Sequence, residues 1–298
     1  MIIELIVYGI TFLFLFIGSY TDLRTREVPD WINYGSICFG ILFNLLASVL
    51  FHDYSYIINS VVGFFAFLLL GYFMFYTGQW GGGDSKAIMG IGALLGLDIS
   101  FKQFPFILSF FINILIVGAL YGLLWSIALA FKNRKNFSKE FKKVYYNPGL
   151  KIIKIAIIVL SVFIIFILLD FFDTSSKYSF LWSIFFLLFA FFLWIFVKAV
   201  EKSCMIKYVK PQQLTEGDWI LKDIRIDGKT ITGPKDLGVS KKQIRQLTQF
   251  YKRGRIKTVA IKEGIPFVPS FFIAFILTVI LLYAVPSSLG NVIFWFAF

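Results

Sequence analysis

The chain has 298 residues, 58% of them hydrophobic, with a mean hydropathy of +0.80 and a formal net charge of +12. This composition excludes a soluble globular protein and predicts an α-helical polytopic membrane protein. The two cysteines form no CxxC pair, and no catalytic triad or metal-ligand pattern is recognisable around the single histidine, His52. We therefore expect no redox motif, no metal site and no cofactor.

Apolar stretches along the chain predict eight helices. They are 3–20, 32–51, 57–77, 85–98, 104–131, 152–172, 180–198 and 265–284. We expect about eight transmembrane helices, which correspond to six core helices plus an extra hairpin. We also expect a small cytosolic α+β domain. The fourth stretch is short. About 13 residues at 1.5 Å each reach only about 20 Å, whereas the hydrocarbon core of a membrane is about 30 Å thick.

The positive charges predict an orientation in the membrane, since Lys and Arg concentrate in cytoplasmic loops. With the N-terminus outside, the inner segments are 21–31, 78–86, 132–154 and 198–264. These segments hold all but two of the 29 Lys and Arg residues, Lys102 and Lys177 being the exceptions. Basic loops beside an anionic plasma-membrane leaflet explain the net charge. No nucleic-acid partner is expected, because no basic face interleaved with aromatic residues is recognisable.

The chain divides into four predicted parts. They are a membrane domain of about five helices at 1–131, a basic linker and transmembrane hairpin at 132–200, a small cytosolic α+β domain at 201–264, and a last helix with the C-terminal tail at 265–298.

The third part carries local signals of strands and one helix. Alternation predicts a strand at 219–226, the dipeptide Asp227-Gly228 predicts a hairpin turn into a strand at 229–232, and a further strand is expected at 256–261. Ser240 with Gln243 forms a capping-box pattern before a basic helix at 241–253, and Gly254 is a stop signal.

Two aspartates stand at the predicted cytoplasmic ends of different helices. Asp22 follows the first apolar stretch, and Asp84 precedes the fourth, directly after three glycines whose missing Cβ atoms permit close backbone approach. Two carboxylates brought together cannot both ionise cheaply, so one can activate water while the other donates a proton. This pattern favours peptide hydrolysis without metal or histidine. On its own stretch, Asp84 is equally well interpreted as an ordinary helix N-cap.

These residues also carry a family resemblance. The sequence GGGDSK at 81–86 resembles the GxGD signature of type IV prepilin peptidases, and the DLR at 22–24 with the VPD at 28–30 resembles that family's first aspartate motif. The match covers roughly residues 1–130. The segment 214–275 looks like the soluble insert and last helix of the archaeal branch, which includes preflagellin peptidases.

The resemblance implies a membrane-embedded aspartic endopeptidase that removes short basic leader peptides from pilin-like or flagellin-like precursors at the cytoplasmic membrane face. By the same resemblance, Asp22 and Asp84 are the catalytic pair in the domain 1–131, Gly81 and Gly83 are the loop glycines, and Lys86 belongs to the motif with its role open. The cysteine-bearing segment of many methylating bacterial members is lacking, which implies a peptidase only. The implied partners are these precursors and membrane lipid.

Two alternatives stay open from the sequence. A presenilin-like or signal-peptide-peptidase-like protease also uses GxGD, but there the first aspartate lies in the helix just before the GxGD helix, whereas about 60 positions separate Asp22 from Asp84 here. A transporter or assembly scaffold with functional membrane carboxylates predicts acids near the midplane and broken helices. The particular substrate and the oligomeric state are open.

Overall fold

The computed structural model describes residues 2–100, 105–171, 174–226 and 228–284. Its helices are α1 (Ile2–Thr25), α2 (Asp30–Leu50), α3 (Ser55–Tyr76), α4 (Gly82–Leu95), α5 (Phe106–Lys132), α6 (Arg134–Tyr145), α7 (Pro148–Phe171), α8 (Thr174–Cys204), α9 (Lys241–Lys252) and α10 (Val268–Ala284). Its strands are β1 (Ile206–Val209), β2 (Trp219–Ile220), β3 (Ile224–Ile226), β4 (Lys229–Thr232) and β5 (Val259–Lys262).

Length and hydropathy mark five helices of the described residues as able to cross a membrane. They are α1, α2, α3, α5 and the Leu181–Cys204 part of α8, and a sixth span results if α6 and the Pro148–Phe163 part of α7, bent by 67°, form one. The predicted fold class, a helical polytopic membrane protein with a small α+β region, is confirmed. The apolar stretches 85–98 and 265–284 do form helices, but α4 has 14 residues and α10 has 17.

The described residues cluster into two compact units. The first draws on Met1–Leu123, Lys210–Lys257 and Gly264–Phe298, and the second on Leu124–Val209 and Thr258–Glu263. The four-part division given above stays a prediction. Both aspartates of the predicted pair belong to the first unit.

Within the first unit, α4 is held between α2 and α3 at very short distance. A Cβ placed on Gly63 of α3 would lie 2.4 Å from the carbonyl oxygen of Gly92, and one placed on Gly40 of α2 would lie 2.7 Å from the carbonyl carbon of Ala93. Ser60 donates a 2.6 Å hydrogen bond to the Ala93 carbonyl. At Gly63 and Gly40 only glycine permits these approaches, so the small residues allow α4 to pack closely against α2 and α3.

The hairpin, helix and capping signals predicted within residues 224–254 are confirmed. Strands β3 and β4 pair antiparallel with Ile226 opposite Lys229; Asp227 lies outside the described residues. Ser240 caps α9 by accepting from the Gln243 backbone N–H. Gly254 has a φ of +71°, which ends that helix.

The predicted strand at 219–226 is interrupted. Residues 221–223 bend between β2 and β3, where Asp223 approaches the backbone so closely that a Cβ on Gly233 would meet its Oδ1 at 2.2 Å.

In the second unit, aromatic contacts join α6 to α8. The ring centroids of Phe137 and Phe196 are 5.5 Å apart, and those of Tyr145 and Phe192 are 6.5 Å apart. Part of the segment predicted as a basic linker is thus a helix whose apolar side packs on α8. Strand β5 begins at Val259, later than the predicted 256, and pairs antiparallel with β1.

Candidate active site

Asp22 lies in the last turn of α1 with only 4% of its surface exposed. Its Oδ2 accepts a 3.0 Å hydrogen bond from the backbone N–H of Val268, the first residue of α10. A carboxylate at the C-terminal end of its own helix is unfavourably placed against the helix dipole, whereas the N-terminal end of another helix favours it. Helix α10 therefore provides the stabilisation that α1 does not give to a charge at this position.

Asp84 lies in the first turn of α4 and is half-buried. Its Oδ2 accepts a 2.9 Å hydrogen bond from the Gly81 backbone N–H. The interpretation of Asp84 as the N-cap residue is wrong in detail, since Gly81 holds the N-cap position with extended backbone and Asp84 reaches back to it from the third helical position. One carboxylate oxygen is engaged in holding the glycine loop.

The connection between α1 and α2 lies beside both the last turns of α1 and the glycine loop. A Cβ on Gly18, one turn before Asp22, would lie 3.8 Å from Val28 Cγ1, and a Cβ on Gly83 would lie 3.5 Å from Val28 N. Val28 is therefore shared by the α1 end and the glycine loop. Burial, and after it the negative charge of Asp22, raises the pKa of Asp84 to about 7.

The glycine loop is anchored by the residue before it. Trp80 is buried, with its ring 5.1 Å from Phe271 and 6.2 Å from Phe267. Gly81 and Gly83, the predicted loop glycines, lie beside Asp84 and Val28 respectively. Their catalytic role stays a prediction.

Lys86 connects α4 to the start of α2. Its Nζ is 2.6 Å from Asp30 Oδ1 and 5.2 Å from the centre of the Tyr34 ring. Both side chains of the ion pair are partly exposed. In this arrangement Lys86 positions the first turn of α4, and a role toward substrate stays a prediction.

A small cavity of about 20 Å³ lies between α1, α2 and α4, enough for one water molecule. Its lining is mostly apolar and includes Gly18, Val28 and Val268, all next to the aspartates. The buried Oδ1 of Asn33, which also lines it, has no hydrogen-bond partner among the described residues, while the Asn33 amide donates to the Val28 carbonyl at 3.3 Å.

Three contacts at this site were not anticipated from the sequence: the Val268 N–H on Asp22, the Trp80 packing, and a 3.1 Å bond from Arg26 Nη1 to the Gly264 carbonyl. A backbone donor has no residue signature. Two features of the sequence could have pointed to the bond between Asp22 and α10. They are the unfavourable position of Asp22 at a helix end and Pro269, which marks the start of a helix. His52 lies exposed in the turn after α2, at the opposite end of that helix from Asp30.

Comparison with known proteins places this site within a matched region. The sequence profile described as the Type IV leader peptidase family matches residues 9–123, which contain both aspartates. Over 164 residues the chain is 34% identical to the preflagellin peptidase of Methanococcus maripaludis, covering 50% of this chain and 70% of that protein. The chain belongs to the type IV leader peptidase family. The resemblance inferred from the two motifs is confirmed.

Two further archaeal relatives match over shorter stretches. The preflagellin peptidase of Methanocaldococcus jannaschii is 46% identical over 81 residues, or 27% of this chain and 34% of that protein. That of Methanococcus voltae is 37% identical over 91 residues, or 30% of this chain and 39% of its own length. These family matches support a peptidase.

Proposed function

We propose that this protein is an aspartic endopeptidase that removes short basic leader peptides from pilin-like or flagellin-like precursors at the cytoplasmic membrane face. The observation that carries the proposal is that Val28 lies beside both Gly18, one turn before Asp22, and Gly83, the residue before Asp84. Family membership supports peptide hydrolysis, and relatives named preflagellin peptidases support precursors of this class.

The pair divides the chemical work of hydrolysis. Asp22, whose negative charge is stabilised by the Val268 N–H, removes a proton from water, and the water oxygen bonds to the scissile carbonyl carbon. Asp84, with its raised pKa, gives its proton to the departing amine nitrogen as the C–N bond breaks. Asp22 now carries the proton taken from water, so the pair again holds one proton, as it did before the reaction.

The glycine loop suits the end of a leader peptide. Gly82 is exposed, and the three glycines present no side chains where an extended substrate backbone would lie beside Asp84. A small residue before the scissile bond is therefore expected. The substrate helix must unwind there, and water at the membrane interface satisfies its freed backbone groups.

The orientation proposed has the N-terminus outside and the site at the cytoplasmic face of the plasma membrane. The distribution of Lys and Arg supports it. Seven basic residues on α9 and the turn after it are exposed, as a water-facing or lipid-headgroup-facing surface requires; they are Lys241, Lys242, Arg245, Lys252, Arg253, Arg255 and Lys257.

A cleavage assay on purified protein with a candidate precursor tests this function. Asp22→Asn and Asp84→Asn should each lower the cleavage rate on the order of a thousandfold, since general acid–base groups contribute about 10²–10⁴. Mass spectrometry of the product should give a mature N-terminus just before the apolar helix of the precursor.

Asp53→Asn is the matched control, because Asp53 is an exposed carboxylate just before α3 that accepts from Ser55 N–H, and the side-chain oxygen of Asn can accept the same bond. Its rate should stay within about twofold of wild type. Substantial cleavage by either site variant would remove that residue from the mechanism, and an N-terminus beyond the apolar segment would refute leader removal.

A further inference from the structure

The segment that leads into α10, residues 264–271, contacts both elements that carry the aspartates. We call it the α10 entry segment. On one side, Val268 N–H binds Asp22 Oδ2 at 3.0 Å, and the Gly264 carbonyl accepts from Arg26 Nη1 at 3.1 Å. Both bonds join this segment to the end of α1 and the residues that follow it.

On its other side, the same segment holds the glycine loop. Phe271 is fully buried and lies edge-on to Trp80, the residue directly before Gly81. Phe267 packs between Trp80 and α5, where a Cβ on Gly118 would lie 2.6 Å from the Phe267 ring. The absence of a side chain at Gly118 thus makes room for the Phe267 ring.

We propose that the α10 entry segment is a positioning element for the aspartate pair: it holds Asp22 through Val268 N–H and the glycine loop of Asp84 through Trp80. The relative position of the two carboxylates is then fixed by a third helix that carries neither of them. This inference rests on the proposed function, because it assigns how the catalytic groups of that function are held.

The free N–H groups at the start of a helix explain why the hydrogen bond from Val268 holds the Asp22 carboxylate rigidly. The first N–H groups of a helix have no partner within the helix, so Val268 can donate to Asp22 at no cost to α10. A backbone donor cannot rotate away as a side chain can, and hydrogen bonds to ionised acceptors are stronger than neutral ones. The carboxylate of Asp22 is therefore oriented by the backbone of α10.

Val268→Pro removes this donor and also replaces a buried side chain. Proline is accepted at the first position of a helix, and Phe267 precedes that helix, where extended backbone suits a following proline. Val268→Ala is the matched control, because it trims the buried side chain and keeps the N–H. Cleavage of a precursor by each full-length variant, with thermal unfolding of the same samples, separates positioning from stability.

We expect Val268→Pro to lower kcat about tenfold or more, the loss typical of one charge-assisted hydrogen bond, with KM within about twofold and an unfolding temperature close to that of Val268→Ala. Val268→Ala should keep kcat within about threefold. The inference is overturned if Val268→Pro keeps more than half of the wild-type kcat, or if both variants lose kcat equally.

A second pair of variants tests the same segment should Val268→Pro fail to fold. Arg26 has a φ of +62°, a conformation that Asn tolerates, so Arg26→Asn removes the bond to Gly264 without backbone strain. Arg24→Asn removes an equal charge two positions away, where the guanidinium donates to Tyr20 OH, one turn earlier in the same helix.

Arg26→Asn should lower kcat several-fold and Arg24→Asn should leave it unchanged; equal rates for the two would overturn the inference. Failure of the proposed function is distinguishable, because it would appear as cleavage by Asp22→Asn or Asp84→Asn. If those two variants are inactive and Val268→Pro is fully active, only the positioning role is lost.

Discussion

Helices α4 and α8 are both apolar, yet the protein uses them in opposite ways. Helix α4 has 14 residues and buries Ile88 and Ala93 completely against its neighbours in the first unit. Helix α8 has 31 residues and, in the second unit, exposes a series of large rings that include Trp182, Phe185, Phe186, Phe189 and Phe192.

The difference lies in side-chain size rather than in hydropathy. Between membrane helices there is little hydrophobic gain, so close packing requires small residues at the contact. Helix α4 has glycines there and can place Asp84 accurately, whereas α8 presents the bulky surface expected of a lipid-facing helix. Apolar composition identifies a membrane helix, and residue size indicates whether protein or lipid covers it.

The largest effect that this comparison predicts is the loss of the native fold when α4 is pushed away from α3. Gly92→Ala places a Cβ 2.5 Å from the Gly63 carbonyl oxygen, and Gly63→Ala places a Cβ 2.4 Å from the Gly92 carbonyl oxygen. Each should destabilise the protein by about 1–3 kcal/mol or more through overpacking against backbone, lowering the unfolding temperature and abolishing cleavage.

Gly9→Ala and Gly122→Ala are the matched controls, since a Cβ at either helical position meets nothing within 4 Å. Alanine there should be neutral or slightly stabilising, because it favours helix over glycine. Thermal unfolding of the four variants in one detergent makes the comparison. Equal stabilities would mean that α4 is not held by close glycine contacts.

A smaller effect is expected from pH. The pKa of Asp84 is raised from 3.8 to about 7, so the folded protein retains a proton that the unfolded chain releases. Its contribution to stability is complete below about pH 4 and is lost as the pH rises through about 7. In the proposed mechanism the protonated carboxyl of Asp84 is the proton donor, and it loses its proton as the pH rises through the same range. We therefore expect kcat/KM to fall about tenfold per pH unit above pH 7.

Two measurements check this prediction. The pH profile of cleavage should show an alkaline limb near pH 7, and it should be unchanged in Asp53→Asn. The pH dependence of unfolding between pH 4 and 7 should weaken in Asp84→Asn. A cleavage rate that is flat from pH 6 to 9 would rule out Asp84 as the proton donor.

The smallest effect concerns α8. Phe186→Leu and Phe189→Leu change exposed rings, so we expect unfolding temperature and cleavage to stay close to wild type, within about twofold in rate. Phe271→Leu makes the same substitution at a fully buried ring beside Trp80 and should cost about 1–3 kcal/mol of unfolding free energy. Comparable losses at the exposed and buried positions would contradict the assignment of α8 as lipid-facing.

Much of the local structure followed from the sequence because its causes are local. The apolar stretches predict the helices, Ser240 with Gln243 predicts the start of α9, and the dipeptide before Lys229 predicts the β3–β4 hairpin. The same holds for the two aspartate motifs, whose order along the chain is enough to indicate the family. Where a contact within a few residues decides the outcome, the prediction is confirmed.

The strand predicted at 219–226 failed for the opposite reason. Its alternation is a local signal, but the strand is interrupted between β2 and β3, where Asp223 lies close to Gly233. A side chain that approaches backbone ten positions away leaves no mark in the alternation. The start of α4 is a different case, because glycine and aspartate are both accepted at the N-cap position and it is Gly81 that holds it, three residues before Asp84.

By itself the sequence determined that this is a membrane protein with two aspartates at helix ends and a glycine loop before the second. Only the tertiary structure decided what holds those aspartates. Asp22 is bound by the backbone of Val268, 246 positions away, and Trp80 is packed by Phe271 of the same helix. A backbone N–H is common to almost every residue, so its use as the partner of a carboxylate is determined by where the helices pack and not by which residue carries it.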